Sequence, residues 1–333
     1  MPHVVGILCL TCILPAVALA QSWSETSVAR TAWGAPDLRG VWDYRTMTPL
    51  QRSADFGTKE FLSEEEAAAY ERQVLARRDS RPLTPGSTHA QWWLDQGTAL
   101  TDDHRTSLVI DPPDGRLPSL TPEAQERDAA RRGQRPVRAR QVVDSPAHGP
   151  EDFGLAERCL LGYSTGPPVV PNAYNNNIQL FQTPDHVAIL IEMVHDVRIV
   201  PLDGRPRLST DIRQWLGDAR GHWEGDTLVV ETTNFTDKTG SFDANLRAAY
   251  GSGETLHLIE RFTRTGEHGL LYEFTIDDQT TFTRPFSAVV PMRTSDGSIY
   301  EYACHEGNYA MANGLMSART RERARAASGS AGR

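Results

Sequence analysis

The chain predicts a mainly β fold, an antiparallel barrel-like or sandwich sheet with N-terminal helices and loops wrapped around it. Residues 178–305 read as a succession of short alternating strands. The segments between them, among them Thr183-Pro184-Asp185, Glu224-Gly225-Asp226 and Gly266-Glu267-His268-Gly269, have the Gly, Pro and Asp chemistry of tight turns. Only one short helix, Ser209 to Leu216, is expected to interrupt the run. A barrel of this size commonly encloses a ligand cavity.

The elements follow in order. Val4 to Leu19 is an apolar stretch closed by Ala18-Leu19-Ala20, the small-residue pattern of a signal-peptidase site, so residues 1–20 are expected to be a signal peptide and the mature chain periplasmic or extracellular. The stretch is short for a membrane span and no second one follows, so no integral membrane association is expected. Residues 21–150 form a wrapping segment. It holds a short strand at Val41 to Tyr44 and a helix opened by the capping box of Ser63 and Glu66, with Glu64 to Glu66 at its positive end and Arg77 and Arg78 at its negative end. Trp92 and Trp93 stand in a polar loop, as a core cap or a groove rim. Arg105 to Asp111 is a short strand stopped by Pro112-Pro113-Asp114-Gly115, and Thr121-Pro122 is an N-cap with proline at the first helical position, opening a helix to about Arg132. Arg131, Arg132, Arg135, Arg138 and Arg140 read as a solvated linker, or as a basic patch for an acidic ligand. Residues 151–310 are the β domain, and Met311 to Ala327 opens a C-terminal helix and tail, residues 311–333.

Strand alternation gives the inward side chains. In Leu270 to Ile276 the even positions are Leu270, Tyr272, Phe274 and Ile276, a core face. A hairpin centred near Glu267 pairs residues whose numbers sum to about 534, which puts Leu258, Glu260 and Phe262 on the same face, whereas a slip of one residue would turn His257, Ile259 and Arg261 inward. Read as one strand, Val187 to Val200 carries an apolar odd face from Val187 to Ile199 interrupted by His195, with Glu192, Asp196 and Arg198 on the outer face. The last strand, Ile299 to His305, runs into Cys304-His305-Glu306, whose neighbours point to opposite sides and so cannot together bind one metal from a regular strand; only a bulge or a turn at Gly307 would gather them.

The motif search excludes several chemistries. The chain has no phosphate loop, dinucleotide fingerprint, nucleophile elbow or zinc-ligand spacing, so no cofactor and no metal are expected. A formal net charge of −9 argues against nucleic acid and anionic surfaces as main partners. With the leader removed, Cys159 and Cys304 remain, as a disulfide or as two buried thiols. An inward His195 is a core histidine or, opposite Glu260 in a desolvated interior, half of a proton-transfer pair. The candidate catalytic set is therefore His195, Glu260 and His305, with Tyr302, Tyr272, Asn176 and Trp223 as substrate contacts.

Several segments carry a resemblance. Pro36 to Trp42 (PDLRGVW), Arg105 to Thr121 (RTSLVIDPPDGRLPSLT), Glu157-Arg158-Cys159, Tyr174 to Asn177, Gly221 to Thr227 (GHWEGDT) and Glu301 to Tyr309 (EYACHEGNY) resemble a widespread group of secreted bacterial proteins to which no reaction is assigned. That resemblance implies compartment and little chemistry. Gly40-Val41-Trp42 and Gly221-His222-Trp223 are each similar to the Gly-x-Trp of lipocalin-like barrels, which implies a ligand-handling β-barrel. The function expected is the handling of a small apolar organic molecule, as a cofactor-free acid/base isomerase, lyase or hydratase. The alternatives are a non-catalytic carrier and an envelope interaction protein, the last of which requires a filled interior.

Overall fold

Ten antiparallel strands form one sheet that rolls into a nearly closed barrel. The computed structural model describes residues 28–80, 94–133, 147–162, 166–194, 196–238 and 253–330. The expected leader, Trp92 and Trp93, Arg135, Arg138 and Arg140, and His195 lie outside the described residues. The strands are β1 (Gly40–Asp43), β2 (Val109–Asp111), β3 (Asn177–Gln182), β4 (His186–Ile191), β5 (Val197–Pro201), β6 (Asp218–Glu224), β7 (Thr227–Thr233), β8 (His257–Arg264), β9 (Gly269–Asp277) and β10 (Phe286–Thr294). Around the barrel they run β5-β4-β3-β1-β10-β9-β8-β7-β6, and β2 pairs with β10 off this path. No helix among the described residues is long and apolar enough to cross a membrane.

The N-terminal segment does more than wrap. It supplies β1, which lies between β3 and β10 and joins the two halves of the sheet. β1 and β2 share one edge of β10, β1 at Arg293 and Thr294 and β2 at Ser287 and Ala288. Pro291 falls between them, and this explains how β10 tolerates a proline. Val289 N–H, on the same side as Pro291, donates to Leu108 O (2.9 Å), while the β9 side keeps its pairing through Met292. The missing N–H is thus on the side where no strand demands it.

The two N-terminal helices follow their capping chemistry. In α1 (Glu64–Asp79) the Ser63 hydroxyl accepts from Glu66 N–H (3.3 Å) and the Glu66 carboxylate accepts from Ser63 N–H (2.9 Å). α1 buries Ala67 against Met47, Leu62 and Leu100 in a satellite core outside the barrel. In α2 (Pro122–Gly133) the Thr121 hydroxyl accepts from Ala124 N–H (3.1 Å).

Four expectations are corrected. Val187 to Val200 is a hairpin and not one strand: β4 and β5 pair about a turn that Ile191 N–H closes onto Asp196 O (3.1 Å). Val194, in that turn, takes a left-handed φ of 72°, a conformation unusual for a β-branched residue, so nothing in the turn's composition announced it. Ser209 to Leu216 is not a helix. The Asn234 amide donates to the carbonyls of Leu208, Ser209 and Ile212, and Gln214 bridges Phe235, so the backbone groups a helix would use are spent elsewhere. The strand expected at Thr281 to Val290 begins at Phe286, because Thr281 to Thr283 first pair with Ser119 to Thr121 beside α2. Ile299 to His305 forms no strand and leads irregularly into α3 (Tyr309–Ser330).

That irregular segment is fastened by Cys159–Cys304, a disulfide with Cα atoms 5.8 Å apart and a sequence separation of 145. The Asn308 amide donates to Glu157 O (3.0 Å) beside it, and α3 packs Met311, Leu315 and Ala318 on Ala147 and Phe153. A cross-link over so long a loop removes much conformational freedom from the unfolded chain. Replacing both cysteines by serine is expected to lower stability by about 2–5 kcal/mol in denaturant unfolding. An unchanged midpoint would show that packing alone secures the C-terminal segment.

Candidate functional site

The polar centre of the barrel is built by four strands. In β8, Leu258, Glu260 and Phe262 point inward, and in β9 Leu270, Tyr272, Phe274 and Ile276 do so. The pairing of His257 with Asp277 through Arg264 with Leu270 matches, residue for residue, the register expected from the turn at Glu267. Glu260 is therefore an interior carboxylate. Its partner is Arg198 of β5: Nη1 donates to Oε1 (2.9 Å) and Nη2 to Oε2 (2.5 Å), with side chains 3% and 1% accessible. Arg198 Nη2 also donates to the Thr232 hydroxyl of β7 (3.1 Å), and the Tyr272 hydroxyl donates to Glu260 Oε1 (2.8 Å). Tyr272 in turn accepts from Val169 N–H (3.3 Å).

Arg198 is the residue that sequence reasoning missed. A single strand from Val187 to Val200 puts it on the outer face. The turn at 192–196 reverses that parity, so Arg198 and Val200 are buried while Val197 and Ile199 face solvent. The available signal was slight: one arginine set in the apolar run Val197-Arg198-Ile199-Val200-Pro201.

The ion pair spans the break in the sheet. β5 and β6 are the two ends of the strand order, and Arg198 reaches past β6 to β7 and β8. On β6, Gly221 permits this approach, since a Cβ there would lie 2.6 Å from Leu202 Cδ2 and 2.8 Å from Val200 Cγ1. Most of the remaining core is hydrocarbon and aromatic. Phe262 and Tyr272 are 4.9 Å apart between ring centres, Tyr272 and Phe274 5.9 Å, and Phe282 and Phe286 5.2 Å. A ligand cavity would leave its lining with free surface, but Trp42, Phe262, Tyr272, Phe274 and Phe286 are each at most 1% accessible. Around these side chains the barrel is a packed core.

The geometry separates the expected site residues. Glu260 and Tyr272 meet inside the barrel, held by Arg198. His305 is exposed on the irregular segment before α3, so it does not share Glu260's surroundings. Tyr302 and Trp223 are half-buried and pack against the rim of the main core. Asn176 is buried, and its amide is committed to the backbone: Oδ1 accepts from Asn172 N–H (2.7 Å) and Nδ2 donates to Asp95 O and Asn172 O (both 3.0 Å). It staples two loops. Among the described residues no three His, Cys, Asp or Glu side chains are grouped to hold a metal ion.

Burial, with the Glu260 carboxylate beside it, holds the Tyr272 hydroxyl well above the ordinary tyrosine value of 10.0. The phenol stays protonated as a donor to Glu260. A raised folded-state value means that the folded chain keeps its proton where the unfolded chain loses it. Tyr272's contribution to stability is whole below pH 10 and is lost as pH rises through the folded-state value. Unfolding midpoints are therefore expected to fall above about pH 10, and Tyr272→Phe to flatten that fall; a wild-type alkaline limb retained in the variant would refute the assignment. Arg198→Met and Glu260→Gln, each leaving a buried polar group without its partner, should each lose about 3–5 kcal/mol in urea unfolding, and the double change Arg198→Met with Glu260→Leu should lose less than either. A double variant at least as unstable as the singles would contradict this.

No family model, curated protein or solved structure matches the chain, so the chemistry of the site rests on its own side chains.

Proposed function

We propose that this protein is an extracytoplasmic, non-catalytic β-barrel that acts through its outer surface as an envelope interaction protein. The observation that carries this reading is the filled interior, with Glu260 bound by both oxygens to Arg198. An acid/base enzyme needs its carboxylate within reach of substrate and of a proton exchange path. Glu260 is 1% exposed, and both its oxygens are engaged by Arg198, one of them also by Tyr272. A carrier for an apolar molecule would need space among the same rings that pack against one another here.

The outer surface supports the same reading. On β3, β4 and β5, Phe181, Ala188 and Ile199 are cross-strand neighbours, as are Leu190 and Val197 in the next row. Phe181, Val197 and Ile199 are exposed, so the apolar groups open to contact lie outside the barrel and not within it. Export is supported by the apolar leader and by the joined Cys159–Cys304 pair, which an oxidising compartment preserves.

Native mass spectrometry of the protein purified from its host tests the reading. The expected result is the mass of the processed chain, or of its assemblies, with no organic molecule retained. A stoichiometric small molecule that is retained by the wild type and lost in Phe262→Trp, which fills the interior further, would overturn it.

A further inference from the structure

The two sulfurs of the Cys159–Cys304 disulfide are unequally covered. Cys159 is 5% accessible, whereas Cys304 is half-buried between the exposed residues Ala303 and His305. A thiolate breaks a disulfide by attacking one sulfur and expelling the other, so the sulfur that can be reached decides which one leaves. Here the reachable sulfur belongs to Cys304 and the departing one to Cys159.

The departing sulfur already has a hydrogen-bond donor. Asn308 Nδ2 donates to Glu157 O (3.0 Å) and to Cys159 Sγ (3.3 Å). A bond of this kind is weak to a neutral sulfur and strengthens as the sulfur takes up negative charge. It therefore favours the state in which Cys159 has left over the state in which it is joined.

What the disulfide fastens is separable from the barrel. All ten strands lie between Gly40 and Thr294, and residues 295–308 form neither strand nor helix. In α3, Met311, Leu315 and Ala318 pack on Ala147 and Phe153 in a cluster apart from the main core, and Arg319 donates to His148 O. The helix thus rests on residues 147–153, and the disulfide and Asn308 tie its approach to residues 157–159 just beyond. A region with so small an apolar cluster opens at a lower free energy than the barrel core.

We propose that Cys304 is a site of thiol–disulfide exchange with an external dithiol, and that reduction there unlatches residues 295–330 from a barrel that stays folded. A thiolate of the dithiol attacks Cys304 Sγ; a new S–S bond forms, the Cys159–Cys304 bond breaks, and its electron pair leaves on Cys159. The second sulfur of the dithiol then attacks the first, and the pair released goes to Cys304. The dithiol ends as its own disulfide, and the two protons it gives up end on Cys159 and Cys304. Asn308 acts as a positioning residue. Exchange at Cys304 does not depend on what the outer surface of the barrel binds.

Mass spectrometry of the native protein, treated with 2-mercaptoethanol and quenched in acid, maps the attacked sulfur. The adduct is expected on Cys304 at least about tenfold over Cys159. After full reduction with dithiothreitol, amide hydrogen exchange in residues 295–330 should quicken at least about tenfold while β7, β8 and β9 keep their protection. Asn308→Ala should slow the thiol reaction about three- to tenfold, whereas loss of its tie to Glu157 alone would loosen the segment and speed it. An adduct on Cys159 or shared equally, a disulfide that reacts only after unfolding in urea, α3 amides unchanged by reduction, or barrel strands that lose protection together with α3 would each overturn the proposal. An Asn308→Ala chain that reacts as fast as the wild type or faster would overturn the part given to Asn308.

Discussion

One buried ion pair bridges the break in the barrel. Its sheet has two ends, β5 and β6, and Arg198 of β5 crosses that break to Glu260 of β8 and Thr232 of β7. A backbone ladder would span such a gap with many weak bonds; here a guanidinium spans it with a few charge-assisted ones, short and directional, beside the packing of Val200 and Leu202 on Gly221. The strength of this device depends on the rest of the interior. In the dry core the pair's attraction is large, and so is the penalty for leaving either member alone. The aromatic packing of Phe262, Tyr272 and Phe274 that excludes water is therefore also what makes the charges bind tightly.

Around that centre the structure uses polar side chains as fasteners. Asn176 ties two loops through its amide, Asn234 gathers three carbonyls of a segment that would otherwise coil, and Asn308 joins the disulfide in anchoring the approach to α3. Trp42 of β1 donates from Nε1 to Leu38 O (2.9 Å), and the Arg264 guanidinium lies 5.3 Å from its ring centre, at the point where the N-terminal segment enters the sheet. Residues far apart in sequence are drawn to the barrel's ends by such links, which explains how long irregular stretches stay ordered without strands or helices of their own.

Local signals were legible wherever they were also sufficient. The Ser63–Glu66 box, the Thr121-Pro122 start and the Glu267 hairpin each depend on residues within a few positions of one another, and each formed as its chemistry requires. The β8–β9 register placed Glu260 inside because the turn at Glu267 brings the apolar faces of both strands into phase. The turn at Glu192 to Asp196 was not legible. It contains neither Gly nor Pro, and its left-handed position is taken by Val194, which is buried against Gly162, where a Cβ would come within 2.8 Å of the valine side chain. One unseen turn reversed the parity of a strand and hid Arg198.

By itself the sequence determined the fold class, the starts of α1 and α2, most strand positions and the inward carboxylate, since all of these follow from periodicity and short-range hydrogen bonding. Tertiary structure alone decided which cation meets that carboxylate, that β1 joins the two halves of the sheet, and that aromatic side chains pack around the ion pair. Those outcomes depend on contacts between residues 62 and more than 100 positions apart, such as Arg198 with Glu260 and Gly40 with Leu180. No local pattern encodes such distances, because the free energy that selects them comes from excluding water jointly over many side chains.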